Sequence, residues 1–391
     1  MWRIETMAKL YTNPKGFNVM KHSYSAGSDF RKCRRYYFLK RVKGWRQKTR
    51  SAAFEFGKAV ESALQFYHVS NLKPGSMPEE FTRIWTKCKE IPNMEYKDDS
   101  WDDLAVMGAD MGRLYEAVFP SLLLSDLKFQ LNYEKELYPG TYLAGIKHTA
   151  YLDIVAKQSF IADPSAAPVP IVVDIKTASQ SYNETPQIHA LDPQLRNYSW
   201  TSGIRNTAFL TFVKISPSIK KGDTVTVVTP GTTAFGAAIV KAGDRLKILS
   251  AGKQDELAHV VLTPDLYEKY REASKGLTGK AAVAVLETHL SQGVSIPCSA
   301  VTKQRLQFLP ATVSLERAND TGTIIGEQVA QIVNASEKNA FPEDGGTIFP
   351  NAICTWCCMR GICTGNDKLR DELIFRETEK DNWLDELTDG D

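Results

Sequence analysis

A mixed α/β fold, helical at its start and sheet-centred in its middle, is what this sequence predicts, and two observations carry it. Apolar residues recur at helical spacing through much of residues 25–118. From Lys128 the pattern changes to strand-like runs, KFQLNYEKELY, YLAGIKHTAYLDIVA and VPIVVDIKTA, followed by a helix-like stretch and a further strand. The order is helix, three strands, helix, strand.

Taken in order, periodicity and capping predict a first helix near residues 25–40, starting after Ser25 or Ser28, and a second across FEFGKAVESALQFYH, residues 54–68. More helix is expected near 77–90 and 101–118. Between the second and third strands, SFIADPSAAPVP carries Asp163, Pro164, Pro168 and Pro170, the residues of a hairpin connection or loop. A helix follows from about Asp192 to Gly203, with Pro193 suited to its first turn. NTAFLTFVKIS returns as a strand. Residues 217–310 are read as an elaboration outside the core, with a helix-like AAVAVLETHL, and a long helix is expected from Val313 to Ser336.

The chain has 391 residues, enough for two average domains or one core with large additions. We read one unit, 1–391: N-terminal helices at 22–70, a core at 128–216, the elaboration at 217–310, a helix and cysteine cluster at 311–366, and a loosely ordered acidic tail at 367–391. With 43% hydrophobic and 24% charged residues, disorder is not the expectation. MWRIETMAKLYTNPKG lacks the apolar run of a leader, and no segment reaches the ~18 apolar residues of a membrane span, so a cytoplasmic protein is expected. Net charge is +2, yet residues 31–50 carry ten Lys/Arg and no acid, interleaved with aromatics. Such a stretch either pairs with phosphates while its rings stack on bases, or is a solvated helix face with its rings packed inward.

Asp153 lies in the apolar run YLDIVA, and Asp174 and Lys176 lie in VVDIKTA. Two apart on a strand, Asp174 and Lys176 emerge on one face. An acid in so apolar a run is costly to bury unless it is paired or binds a metal. For an isolated D-x-K, a salt bridge of Asp174 or Asp153 with Lys176 at a strand end is the better explanation.

In combination these residues resemble the PD-(D/E)XK nuclease superfamily, and within it the RecB-like exonucleases, including the AddB and CRISPR-associated branches. The resemblance in motif order covers roughly 23–65, 128–216 and 340–363. It implies a restriction-endonuclease-like core in which Glu61, Asp153, Asp174 and the Ile175 carbonyl hold Mg2+ or Mn2+ and Lys176 orients or deprotonates the attacking water. Glu61 in FGKAVESAL departs from the histidine many RecB-like members carry there. Gln194 and Tyr198 match a Q-x-x-x-Y motif, and by resemblance they touch the DNA backbone or support the site.

Seven cysteines include CTWCCMRGIC near the C-terminus, and Cys33 lies far upstream in FRKCRRYYFL. The resemblance extends to iron-sulfur RecB-like nucleases, implying that Cys33, Cys354, Cys357 and Cys363 hold a 4Fe-4S cluster. Spacing alone does not choose between that cluster and a four-cysteine zinc site. Cys358 is expected to pack beside the cluster, Cys88 and Cys298 to be buried small hydrophobes, and His148 to lie in the core or at the surface.

The implied activity is that of a metal-dependent DNA nuclease, a single-strand-preferring exonuclease in recombination, repair or phage DNA processing, from a bacterium or bacterial virus. The chain has no Walker A pattern, so it is expected to act on ends opened elsewhere or with a separate helicase or recombinase partner. The alternative is a DNA-binding scaffold, with iron-sulfur or zinc, whose nuclease site is inactive.

Overall fold

The computed structural model describes residues 21–96, 99–141, 143–159, 165–232, 239–250, 258–262, 272, 275–277, 281, 294–342, 354 and 356–376. A short strand, β1 (Lys21–Ser23), leads into α1 (Tyr24–Lys32), whose cap Ser23 accepts from the Ala26 amide. The continuous helix expected over 25–40 is broken at Cys33, where the backbone is extended, and resumes as a single turn, Arg34–Tyr37, and a π-turn, Phe38–Val42. Competing partners explain the break. The Tyr36 amide bonds Cys33 Sγ, and the Arg35 amide reaches out to the Pro342 carbonyl instead of back along the helix.

Three helices follow where the periodicity placed them: α2 (Ala52–Val69), α3 (Ser76–Cys88) and α4 (Trp101–Val118). A Ser100–Asp103 capping box starts α4, satisfying two helix-end donors reciprocally. Cys88 is buried in the core between these helices, as expected of an unpartnered cysteine.

The central sheet is built from β1 and five longer strands, β2 (Leu124–Glu136), β3 (Lys147–Gln158), β4 (Val169–Ala178), β5 (Asn206–Val213) and β6 (Leu306–Thr312). β2, β3 and β4 run antiparallel in succession, and β1 lies parallel to the start of β3. β4 and β5 are parallel, joined by α5 (Pro193–Ser202) as a crossover helix. Asp192 caps α5 by accepting from the Gln194 and Leu195 amides, with Pro193 at the first position, where no amide is needed.

One boundary differs from the sequence reading. The sequence reading gives 217–310 wholly to an elaboration, but Leu306–Pro310 lies in β6, which pairs antiparallel with Asn206–Phe212 of β5 and forms the edge of the central sheet. Alternation along LQFLPAT is too weak to announce a core strand, and Pro310 argues against one except at an edge, where β6 lies.

α2, α3 and α4 cover one face of the sheet, burying Phe56, Val60 and Leu114 against Ile154, Val173 and Leu210. α5 covers the other, packing Leu195 and Tyr198 on Leu152, Val172 and Phe209. Alternate residues of β4 therefore face opposite layers, as strand geometry requires. α6 (Leu315–Glu337) closes a second core with Phe30, Tyr37 and Phe341. Between β5 and β6 the chain forms an antiparallel five-stranded sheet, ordered 294–297, 258–262, 245–250, 224–227, 301–303. The helix-like AAVAVLETHL lies outside the described residues except Ala281.

The basic segment resolves mainly toward the inward-packed reading. Tyr37 and Leu39 are buried, Lys40 and Arg41 pair with Asp29, and Lys32 and Lys40 flank the Tyr36 ring. The C-terminal tail is not loose at its start: Asp367–Leu373 is a helix, and Ile374–Arg376 pairs with Trp45–Gln47 because Ile374 buries itself against Leu39 and Met359. Residues 377–391 lie outside the described residues.

Candidate active site

Asp174 sits on β4 facing α5 and is fully buried. An isolated carboxylate there would be unaffordable, and the surroundings show how it is held. Lys176, two residues on, brings Nζ to 2.6 Å from Asp174 Oδ2. Gln194 donates from Nε2 to Asp174 Oδ1 at 2.8 Å, and the Tyr198 hydroxyl donates to the same oxygen at 3.1 Å. Gln194 turns its other end to Lys176, accepting from Nζ at Oε1, 3.0 Å. A spacing of four on α5 lets Gln194 and Tyr198 act on one carboxylate together.

Asp153, on β3, accepts from the Ile175 amide at 2.8 Å, which ties it to the backbone between Asp174 and Lys176. Glu61 arrives from α2, on the opposite layer, and accepts from Gln130 of β2. Gln130 was not anticipated. Pairing between β2 and β3 passes from Phe129–Ile154 to Leu131–Leu152, leaving Gln130 beside Asp153 with φ at 50°. A non-glycine residue in that region is strained, and such strain collects at functional sites. No sequence signal marks it.

The acids act on one another's proton affinity. Burial raises Asp153, and the Glu61 carboxylate raises it further; burial and then Asp153 do the same to Asp174. Glu61 is raised by burial and by Asp174, against the pull of Lys176 and Lys58. For Lys176, burial works to lower the ammonium, but the Asp174 carboxylate beside it outweighs that and leaves it raised. Lys176 is thus a cation at neutral pH, among acids that crowd one another.

Among the described residues, no three His, Cys, Asp or Glu side chains are gathered closely enough to grip one metal ion. Each carboxylate is instead occupied by a protein donor. The donor set still suits a hard divalent cation: hard oxygen ligands, mutually repelling, whose crowding a cation relieves.

A model of the PD-(D/E)XK nuclease superfamily matches residues 21–364. The chain belongs to the PD-(D/E)XK nuclease superfamily. Membership implies a nuclease, a hydrolase of phosphodiesters, and the mixed sheet with Asp174 and Lys176 on one central strand agrees with it. No curated protein matches the chain. One solved structure, titled "Crystal structure of SSO0001", is 14% identical over 42% of this chain and 63% of that one, with a TM-score of 0.18, too low to carry an argument. The match thus spans less than two thirds of that protein's length.

In this superfamily member the remaining residues singled out by sequence fall elsewhere. His148 is fully buried, with Nδ1 2.9 Å from Nδ1 of His22, and burial keeps both rings neutral, at about 4 and about 3. Cys33 and Cys354 lie close enough to Cys357 to raise its thiol after burial has done so, with Lys32 opposing them. Cys358 packs beside Cys357 against Leu39 and Met359. Cys363 ends the turn Arg360–Cys363 and is exposed. No helix among the described residues is long and apolar enough to cross a membrane.

Proposed function

We propose that the protein is a metal-dependent DNA nuclease, cutting at Asp174 and Lys176 with Glu61, Asp153, Gln194 and Tyr198 in support. The observation that carries it is Asp174: a buried carboxylate held by Lys176, Gln194 and Tyr198, with Asp153 and Glu61 beside it. Glu61, Asp153, Asp174 and the Ile175 carbonyl would hold Mg2+ or Mn2+. When bound, such an ion polarises the phosphodiester and lowers the pKa of water. The chain's own part is to position: Gln194 fixes the Lys176 ammonium where developing negative charge on the phosphate meets it, and Tyr198 keeps Asp174 oriented. Preference for single-stranded ends, an exonucleolytic mode, a role in recombination, repair or phage DNA processing, and a separate helicase or recombinase partner extend this reading.

Cys33, Cys354, Cys357 and Cys363 would hold a 4Fe-4S cluster that clasps α1 to the C-terminal segment. The raising of the Cys357 thiol by Cys33 and Cys354 supports the grouping of those three. One preparation tests both centres. Protein purified anaerobically should be brown and should degrade end-labelled DNA with Mg2+ or Mn2+, whereas Asp174→Asn and Lys176→Ala lose at least about 100-fold in rate. Undiminished digestion by either variant refutes the site, and a colourless protein with one zinc per chain refutes the cluster.

A further inference from the structure

Beside Lys176 the surface opens into a cavity of about 510 Å3 that the acidic site does not use. Thr177 and Ala178 at the end of β4, Ala52 and Ala53 at the start of α2, and Lys214 after β5 line it. Thr177, one residue along β4 from Lys176, turns to the α2 side, and the cavity reaches the lysine's own side through Tyr182, which also lines it and acts on the Lys176 ammonium. Its volume lies within the ~300–1,000 Å3 typical of sites for single small molecules, room for one nucleotide unit.

The wall combines two chemistries. Ala52, Ala53, Leu104 and Ala178 present small apolar surface, of the kind on which a flat base packs. Glu95, Asp99 and Gln180 supply carboxylate and amide acceptors that match the exocyclic amino groups of nucleobases. Asp99 is fixed by Lys214, whose Nζ lies 3.0 Å from its Oδ2. Glu95 disfavours a bare phosphate at this position, and Lys214, the one cation in the lining among the described residues, is engaged by Asp99.

One residue beyond Ala53, Phe54 leaves 61% of its surface exposed, with Lys58 Nζ 4.7 Å from its ring centroid. Phe54, Lys58 and Glu61 are spaced by four and three, a single stripe along α2 that runs from the exposed ring to the acidic site. An exposed aromatic beside a lysine is the pairing that stacks bases and attracts backbone phosphates.

We propose that the cavity seats the base of an unpaired nucleotide adjoining the scissile phosphate, and that Phe54 stacks on the next base along the strand. The proposal rests on the nuclease reading for its substrate, but its test does not require turnover.

The test is fluorescence anisotropy without divalent metal, comparing a single-stranded oligodeoxynucleotide with a base-free (abasic) strand of equal length. Wild-type protein should bind the base-bearing strand about ten-fold or more tightly than the abasic one, since stacking is worth ~1–3 kcal/mol per base. Ala53→Trp, which fills the cavity, and Phe54→Ala should each shrink that ratio several-fold, while thermal melting confirms that they fold. Should Ala53→Trp fail to fold, Gln180→Ala takes its place. Equal binding of both strands by wild-type protein, or an undiminished ratio in both variants, overturns the proposal. An absence of hydrolysis with every divalent metal defeats the nuclease reading alone, because the binding ratio still decides the cavity.

Discussion

Asp153 and Asp174 hold protons more readily folded than unfolded, because burial, with Glu61 acting on Asp153 and Asp153 on Asp174, disfavours the charged forms. A raised acid makes the folded chain the better proton binder, so stability is gained at low pH and lost as pH rises. The window runs from the ordinary 3.8 up to about 7. Metal-free wild-type protein should therefore lose melting temperature relative to Asp153→Asn as pH rises through that window, while the buried neutral His22 and His148 pull both profiles the opposite way. An unchanged slope in the variant would assign the dependence elsewhere. Tyr198 presents a second test. Its ring belongs to the core under α5, and its hydroxyl bonds Asp174. Tyr198→Phe keeps the ring and removes a hydrogen bond to a charged group, worth about 1.5–3 kcal/mol. DNA hydrolysis should slow roughly ten-fold or more, and the melting temperature should fall by no more than that hydrogen bond is worth, because the ring still fills the core.

Elements take their places through close approaches that composition does not advertise. α3 and α4 meet at Gly108, where an added Cβ would lie 1.9 Å from Phe81 Cζ, and at Gly112, against the Pro78 backbone. Gly108→Ala improves helix propensity by about 1 kcal/mol yet overpacks a buried ring, which costs about 1–3 kcal/mol. Denaturant unfolding should show net destabilisation; a gain would mean that Phe81 turns aside freely. Helix positions were legible because α2 to α4 are amphipathic and α4 opens on the Ser100 cap. The break at Cys33 was not, since it depends on the Pro342 carbonyl, some three hundred residues away, drawing off an amide.

Across the whole molecule, the sheet inserted between β5 and β6 is fastened to α4 by a buried ion pair, Arg305 with Asp110, to which Thr302 also donates. Arg305 is fully buried and gives a further hydrogen bond to the Ile215 carbonyl, 2.7 Å. Asp110→Ala strands a buried guanidinium, and breaking such a pair costs about 3–5 kcal/mol. Unfolding should detect a loss of that size, and a loss below about 1 kcal/mol would show the pair to be as weak as surface bridges are.

What the sequence by itself determined is the order of the candidate residues: an acid on a helix, an acid on one strand, D-x-K on the next, Q-x-x-x-Y on the crossover helix. Strand and helix periods assign each of these side chains a face before any fold is known. Only the tertiary structure decided that Glu61 meets Gln130 at a strained turn of β2, that β6 completes the sheet, and that Arg305 finds Asp110. Each of those joins residues distant along the chain, and a one-dimensional pattern records spacing within an element but not which elements come to lie side by side.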